Sequence, residues 1–341
     1  MFMDAGLAGV LLEGEVAVKR LLLTTMVAAL IAATSTASAQ TKRIAITSFG
    51  EHPALQGVVD GFKAKMKDLG YTEGKDVNIT FTHVNWERNL IPQMLTKIAA
   101  DKPDAVVTIT TPVTQSAVRV FTDPATPVVF AAIQDPVVAG VIPAWDKTGP
   151  NMTGASNLVD MDGTLKFIKE MLPNAKRVGV PFNPGDDADN ALREKLVAAA
   201  PKHGLELVLA SVDNTNDIPQ RIQTFAGKVD AIYVFPSNLF QPATAQIGAI
   251  AARLGIPAFN GLPSPVLKHE MLASYSVDFP AIGATAAGMV DRLFKGAKVT
   301  EIKPTVPTPA EHSVVVSQQQ LDKLKVKLPE AYAKCPTCVV K

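Results

Sequence analysis

The sequence predicts an α/β protein built from two doubly wound, parallel-sheet lobes joined by a hinge. Three observations lead there. Short apolar runs of strand length alternate with segments of helical period along most of the chain after residue 40. Three of the strand-like elements recur in the same order at an offset of roughly 130 residues, far too long a period for a solenoid repeat. The composition, 47% hydrophobic and 19% charged over 341 residues, supplies material for two packed cores.

The N-terminal segment reads as an export signal. Lys19 and Arg20 form a basic start, Leu21 to Ala33 an apolar run broken by Thr24 and Thr25, and Ala37-Ser38-Ala39 a small-residue cleavage site. The apolar run is shorter than the ~20 residues a spanning helix needs. Residues 1–39 are therefore expected to be an extension and cleavable signal peptide, with the mature protein in a periplasm. No cysteine sits at the cleavage point, which speaks against lipid attachment there.

Ile44-Ala45-Ile46 opens the first lobe as a strand. Leu55, Val58, Val59, Phe62, Met66 and Leu69 then share a helical face that Gly70 ends. Val77 to Phe81 alternates as a strand, 90–100 is helical, 105–109 a strand, 114–121 a helix and 128–131 a strand. Lys42-Arg43-Ile44-Ala45-Ile46 is echoed by Lys176-Arg177-Val178-Gly179-Val180, and Pro103-Asp104-Ala105-Val106-Val107 by Val229-Asp230-Ala231-Ile232-Tyr233. Thr126-Pro127-Val128-Val129 is echoed by Ile256-Pro257-Ala258-Phe259. The chain is expected to cross near Asn151 to Ala155, to return near Tyr275 to Asp278, and to cross again through the Pro-rich 303–309. This assigns 40–155 plus 278–300 to lobe 1, 156–277 plus 301–329 to lobe 2, and 330–341 to a frayed C-terminal tail.

Ligands in open parallel sheets sit beyond the carboxyl ends of the strands, so the site is expected in the loops there. Thr111 and Thr114 stand at a helix start, where free N–H groups favour a carboxylate or merely take a cap. Asp135 and Asp278 are placed to take an ammonium group. Asn183 and Ser237 would contribute from the second lobe, with Phe49, Trp86, Phe182 and Phe240 available to stack or to fill the core.

Other chemistries fit poorly. The 33 basic and 32 acidic residues nearly cancel, against a phosphate-neutralising nucleic-acid binder. Asp160-Met161-Asp162-Gly163-Thr164 matches an aspartyl-phosphatase nucleophile motif, but no buried strand is expected directly before it and Asp162 reads as a helix cap. Asp186, Asp187 and Asp189 lack the rest of a calcium loop and read as helix-start acids. His269-Glu270 lacks a second zinc-binding histidine. Cys335 and Cys338 are expected to form a tail disulfide or to have no role. No catalytic residue, metal ligand or cofactor is expected, and the chain is read as a non-enzyme.

Several of these elements, taken in order, resemble one family. They are Asp104 with Val106-Val107, Thr111-Pro112-Val113-Thr114-Gln115, Pro127 to Ala132, Asp135-Pro136-Val137, Asn151-Met152-Thr153-Gly154, Asn183-Pro184-Gly185 and Val229 to Val234. The resemblance is to the substrate-binding proteins of ABC importers, in the tryptophan/tyrosine-type group, and covers nearly all of 42–325. It implies a type I periplasmic binding fold and capture of a small solute, an amino acid or related small carboxylate, by hinge closure. An ABC permease and its ATPase would be the partners of a monomeric receptor. A periplasmic sensor feeding a membrane signalling receptor would share fold and cleft. The ligand-binding set expected is Phe49, Thr111, Thr114, Gln115, Asp135, Asn183, Ser237, Asn238 and Asp278. Two departures touch the cleft: Ser237-Asn238 stands where the family tends to place an acidic residue, and Asn260 to Pro265 is unusually Pro-rich.

Overall fold

The computed structural model describes residues 40–341, so the export-signal reading on 1–39 lies outside the described residues. The chain opens with β1 (Lys42–Ser48), α1 (Pro53–Asp68), β2 (Val77–His83), α2 (Ile91–Ala100) and β3 (Ala105–Ile109). It continues through α3 (Thr111–Val120), β4 (Val128–Ile133) and β5 (Met152–Ser156). These five strands form one all-parallel sheet in the order β2-β1-β3-β4-β5. Residues of β3 and β4 are buried throughout, as strands covered on both faces require. Ile91, Leu95, Val113 and Ala117 of α2 and α3 pack one face. Val58, Val59 and Phe62 of α1 pack the other against Ile44, Ile46 and Val107.

The second half repeats the plan with α4 (Met161–Met171), β6 (Arg177–Phe182), α5 (Asp187–Ala199), β7 (Glu206–Ser211), α6 (Ile218–Gln223) and β8 (Ala231–Val234). Then follow α7 (Thr244–Leu254), β9 (Ala258–Asn260), α8 (Ser264–Leu267), β10 (Ala273–Val277) and α9 (Phe279–Phe294). The chain closes with β11 (His312–Ser317), α10 (Gln318–Leu324), α11 (Glu330–Ala333) and β12 (Val339–Val340). The second sheet runs β12-β11-β10-β9-β8-β6-β7, with α4 and α5 on one face and α6 and α7 on the other.

The internal repeat has a physical basis. Asp104 accepts the Arg43 N–H at 2.8 Å at the start of β1. Asp230 accepts the Lys176 and Arg177 N–H groups, both at 2.8 Å, at the start of β6. In each half one carboxylate satisfies the donors that open the first strand, and these backbone bonds hold both carboxyls below their usual range against some opposing burial.

Three passages link the sheets. The chain leaves β5 for α4, and returns from β10 into α9. Strand β10 belongs to the second sheet, yet α9 packs on α1 and on the first core through Ile282, Ala286 and Val290. Gly61 of α1 and Gly283 of α9 make that contact tight: a Cβ on Gly283 would lie 2.0 Å from the Val58 carbonyl oxygen, and one on Gly61 2.1 Å from that of Pro280. The third passage lays Thr305 along β5, accepting the Ser156 N–H at 2.9 Å and donating to Gly154 at 3.0 Å.

Two expectations need correction. Strand β11 runs antiparallel to β10, because the chain re-enters the second sheet from the hinge side through the third passage. The C-terminal tail is not frayed: Val339 and Val340 pair in parallel with β11, and Cys335 and Cys338 form a disulfide just before them.

Candidate functional site

The loops at the carboxyl ends of the strands in both sheets converge on one narrow cleft with a cavity volume of about 40 Å³. From the first half come His52, Trp86, Thr110, Thr111, Ala132, Gln134 and Asn157. From the second come Ala188, Pro236, Ser237, Asn238, Gln241 and Leu262. Phe279, the first residue after the return passage, completes the wall.

The end of β3 builds the most distinctive part. Thr110 takes φ 79° and ψ 150°, a backbone region that side chains beyond glycine rarely adopt. Its hydroxyl makes no cap bond, and its Oγ1 is buried with no partner in the protein. Pro112 in the first turn has no N–H, so Thr111 and Val113 supply the donors at the open end of α3. The positive end of the helix dipole therefore faces the cleft. Trp86 (φ 69°) and Ala132 (φ 53°), also in the wall, are strained in the same sense. Strain of ~1–3 kcal/mol per residue persists where surrounding structure enforces it, and ligand sites are the usual places. Gly50 is required here: a Cβ on it would lie 2.3 Å from the Trp86 ring.

Polar atoms left without partners cluster in the same place. Both side-chain polar atoms of Gln134, Oδ1 of Asn157 and Oε1 of Gln241 join Thr110 Oγ1 as buried and unpaired within the protein. Each such atom costs ~1–3 kcal/mol unless something completes it. His52 adds a donor. Its Nδ1 accepts the Ala54 N–H, and burial together with the Lys268 charge lowers its pKa to about 4. The ring is therefore neutral at pH 7, with its proton on Nε2.

Of the residues expected from sequence, Thr111, Ser237 and Asn238 line this cleft. The others do different work. Thr114 is fully buried and its hydroxyl is spent on Thr108 Oγ1 and the Thr110 carbonyl. Phe49 lies behind Trp86, edge to face with ring centres 5.5 Å apart. Asp278 caps α9 through the Ala281 N–H, and Asn183 closes its own turn by accepting the Gly185 N–H. Asp135 accepts the Val137 and Val138 N–H groups and pairs with Lys195 of α5 at 3.1 Å. Gln115 donates to Asp187 Oδ2 at 2.7 Å. These last two contacts run from the first lobe, one from the loop after β4 and one from α3, to α5 of the second half. In the phosphatase-like motif, Asp160 rather than Asp162 caps α4, and the exposed Asp162 faces Lys202 and His203.

His52, Gln134, Asn157, Gln241 and Phe279 were not singled out from sequence. Gln134 and Asn157 each stand directly beyond a wholly apolar or small-residue strand, which is the one local signal they carry.

Comparison with known proteins agrees with this arrangement. The tyrosine-binding protein of Clostridioides difficile is 27% identical over 292 residues, which cover 86% of this chain and 83% of the relative. A conserved domain protein from Vibrio cholerae superposes with a TM-score of 0.82 at 29% identity, over 89% of this chain and all of the other. A Streptococcus pneumoniae ABC domain in complex with L-Trp gives 0.83 at 26% identity, over 88% of this chain and all of the other. The ligand-free, open form of a Clostridium difficile substrate-binding protein gives 0.70 at 27% identity, over 88% and 99%. The family model for ABC transporter substrate-binding proteins matches residues 43–340, and the chain belongs to that family.

Proposed function

We propose that this chain is an extracytoplasmic receptor that captures a small carboxylate-bearing solute, an amino acid in the first instance, in the cleft between its lobes and delivers it to an ABC permease and its ATPase. The observation that carries this reading is the set of buried, unpaired polar atoms on Thr110, Gln134, Asn157 and Gln241 beside the open N-terminus of α3. A carboxylate at that end would meet the Thr111 and Val113 N–H groups and the helix dipole. Trp86, Leu262 and Phe279 give the apolar surface that a side chain would bury. The relatives that bind tyrosine and tryptophan support amino acids as the class.

Capture works by hinge closure, with three passages flexing between two rigid lobes. The closer match to the ligand complex than to the open, ligand-free relative supports a closed arrangement here. A solute shifts the open–closed balance only through contacts it makes better in the closed form, and this cleft takes its wall from both lobes.

A thermal-shift screen against the twenty common amino acids and small carboxylates tests the reading. At least one is expected to raise Tm in a concentration-dependent way, because a native-state ligand stabilises by mass action. No shift from any of them overturns it. A second expectation concerns closure. The Asp135–Lys195 pair crosses between lobes, so Lys195→Met is expected to weaken binding of that solute by about two- to fivefold, the size of a half-exposed ion pair. Isothermal titration reads this directly.

A further inference from the structure

One imidazole touches the second-lobe end of all three passages between the lobes. His312 opens β11 and pairs with Val277, the last residue of β10. Its Nε2 accepts the Asp160 N–H at 3.0 Å, where the first passage ends in α4. Its Nδ1 donates to the Thr308 carbonyl at 2.9 Å, in the third passage. Its ring stacks on Tyr275 of β10, with centres 4.8 Å apart and planes 13° apart, just before the second passage. These partners dictate the state of the ring. A backbone N–H only donates and a carbonyl only accepts, so His312 is neutral with its proton on Nδ1.

The same bonds define where the hinge bends. The first-lobe ends of the passages are tied independently of the ring. Asn157 donates to the Ile133 carbonyl at 3.1 Å, and Thr305 pairs with Gly154 and Ser156 of β5. The second-lobe ends are tied by His312, at Asp160 and at Thr308. Glu311 braces that turn by accepting the Thr308 N–H and hydroxyl, both at 2.7 Å. Between the tied points lie Leu158 and Val159 in the first passage, and Val306 and Pro307 in the third. We infer that His312 is a positioning residue for solute capture. As a neutral ring it holds the second-lobe ends of the first and third passages, confines lobe rotation to these short spans, and limits the open conformations that closure must give up. The inference rests on the hinge-closure reading.

This geometry makes capture sensitive to acid. An imidazolium carries N–H groups on both nitrogens and cannot accept the Asp160 N–H. The clamped form therefore holds one proton fewer than the released one, and a fall in pH favours release. The charged groups around the ring are carboxylates: Asp160 at the head of α4, Glu311 in its own passage, and Asp278 beside its strand partner Val277. They favour the imidazolium once it forms. Tyr275 adds no charge, since burial and the Asp160 carboxylate push its phenol up to about 12. Solute binding is thus expected to weaken as pH falls. His52 in the cleft, lowered to about 4, stays neutral above about pH 5.5 and does not share in the effect.

The test joins isothermal titration with amide hydrogen exchange, on the mature wild-type protein, His312→Gln and His312→Phe. The amide introduced by His312→Gln can donate to Thr308 and accept from Asp160 without titrating, whereas His312→Phe keeps the stack on Tyr275 and loses both bonds. The titrant is the one of the twenty amino acids that most raises Tm. The wild-type Kd is expected to rise about threefold or more between about pH 7.5 and 5.5, and that of His312→Gln to stay within about twofold. At the higher pH, His312→Phe is expected to bind about three- to tenfold more weakly than wild type, and His312→Gln within about twofold of it. Exchange over 156–162 and 305–312 is expected to quicken in His312→Phe and not in His312→Gln. Unchanged exchange in His312→Phe overturns the clamp. Faster exchange with unchanged Kd, or equal pH dependence in wild type and His312→Gln, overturns the role in capture and leaves the receptor reading standing. A wild-type Kd that is flat over this pH range does so without any variant. If no amino acid binds the wild type, the receptor reading and the role in capture both fall, and exchange alone decides the clamp.

Discussion

Thr111→Asp is expected to abolish solute binding while leaving the fold intact. Thr111 is the first residue of α3 and lines the cleft at the open helix end. A carboxylate in a first helical turn interacts favourably with the dipole, by ~0.3–1 kcal/mol, so the unliganded protein should melt within a few degrees of wild type. The same charge lies where the solute's carboxylate docks. Two like charges about 4 Å apart at an effective dielectric near 20 repel by about 4 kcal/mol, and even part of that raises Kd at least a hundredfold. Thr111→Ser, which keeps the hydroxyl and the backbone N–H at that position, should bind as wild type. Titration distinguishes the outcomes, and a Thr111→Asp protein with unchanged Kd would remove the carboxylate from this end of the cleft.

The second large effect is on stability. Gly283→Ala is expected to destabilise the protein by about 3 kcal/mol, because the new methyl meets the Val58 carbonyl oxygen at 2.0 Å and must push α9 off α1. A fall in Tm of roughly 5 °C or more follows. Gly288→Ala is the internal control. It lies on the same helix with nothing within 4 Å of the added Cβ, and there the change should be neutral or stabilising by ~0.5–1 kcal/mol. The packing defect also reaches the site, since α9 begins at Phe279 in the cleft wall. Equal melting of the two variants would show that the α1–α9 contact is looser than the structure has it.

The order of elements was legible because each half writes it plainly. Strand 105–109 matches its expected bounds, and Lys42-Arg43 with Asp104 repeats as Lys176-Arg177 with Asp230 because both halves need the same carboxylate to satisfy the opening donors of a strand. The place of the cleft was legible too, since strand-end loops are where parallel sheets leave backbone groups free. The roles of individual loop residues were not. Which way a loop side chain turns depends on contacts distant in sequence, so Thr114 and Thr111 look alike in the chain although one faces the core and the other the cleft. Asp278 precedes Phe279-Pro280, a capping pattern with proline in the first turn, and that pattern carried more information than its charge. Asp135 was weighed as a lone carboxylate because its partner Lys195 lies 60 residues away in the other half. Asp189 read as an ordinary helix-start acid, and only the fold shows it turned inward beneath Ser237.

The measurement that bears most directly on the whole account is a crystal structure of the mature protein with the amino acid that most raises its Tm. The account places that molecule between the lobes, its carboxylate on the N–H groups that open α3 and its apolar part against Trp86, Leu262 and Phe279. Density for the solute in any other pocket, with the inter-lobe cleft unchanged, would contradict it.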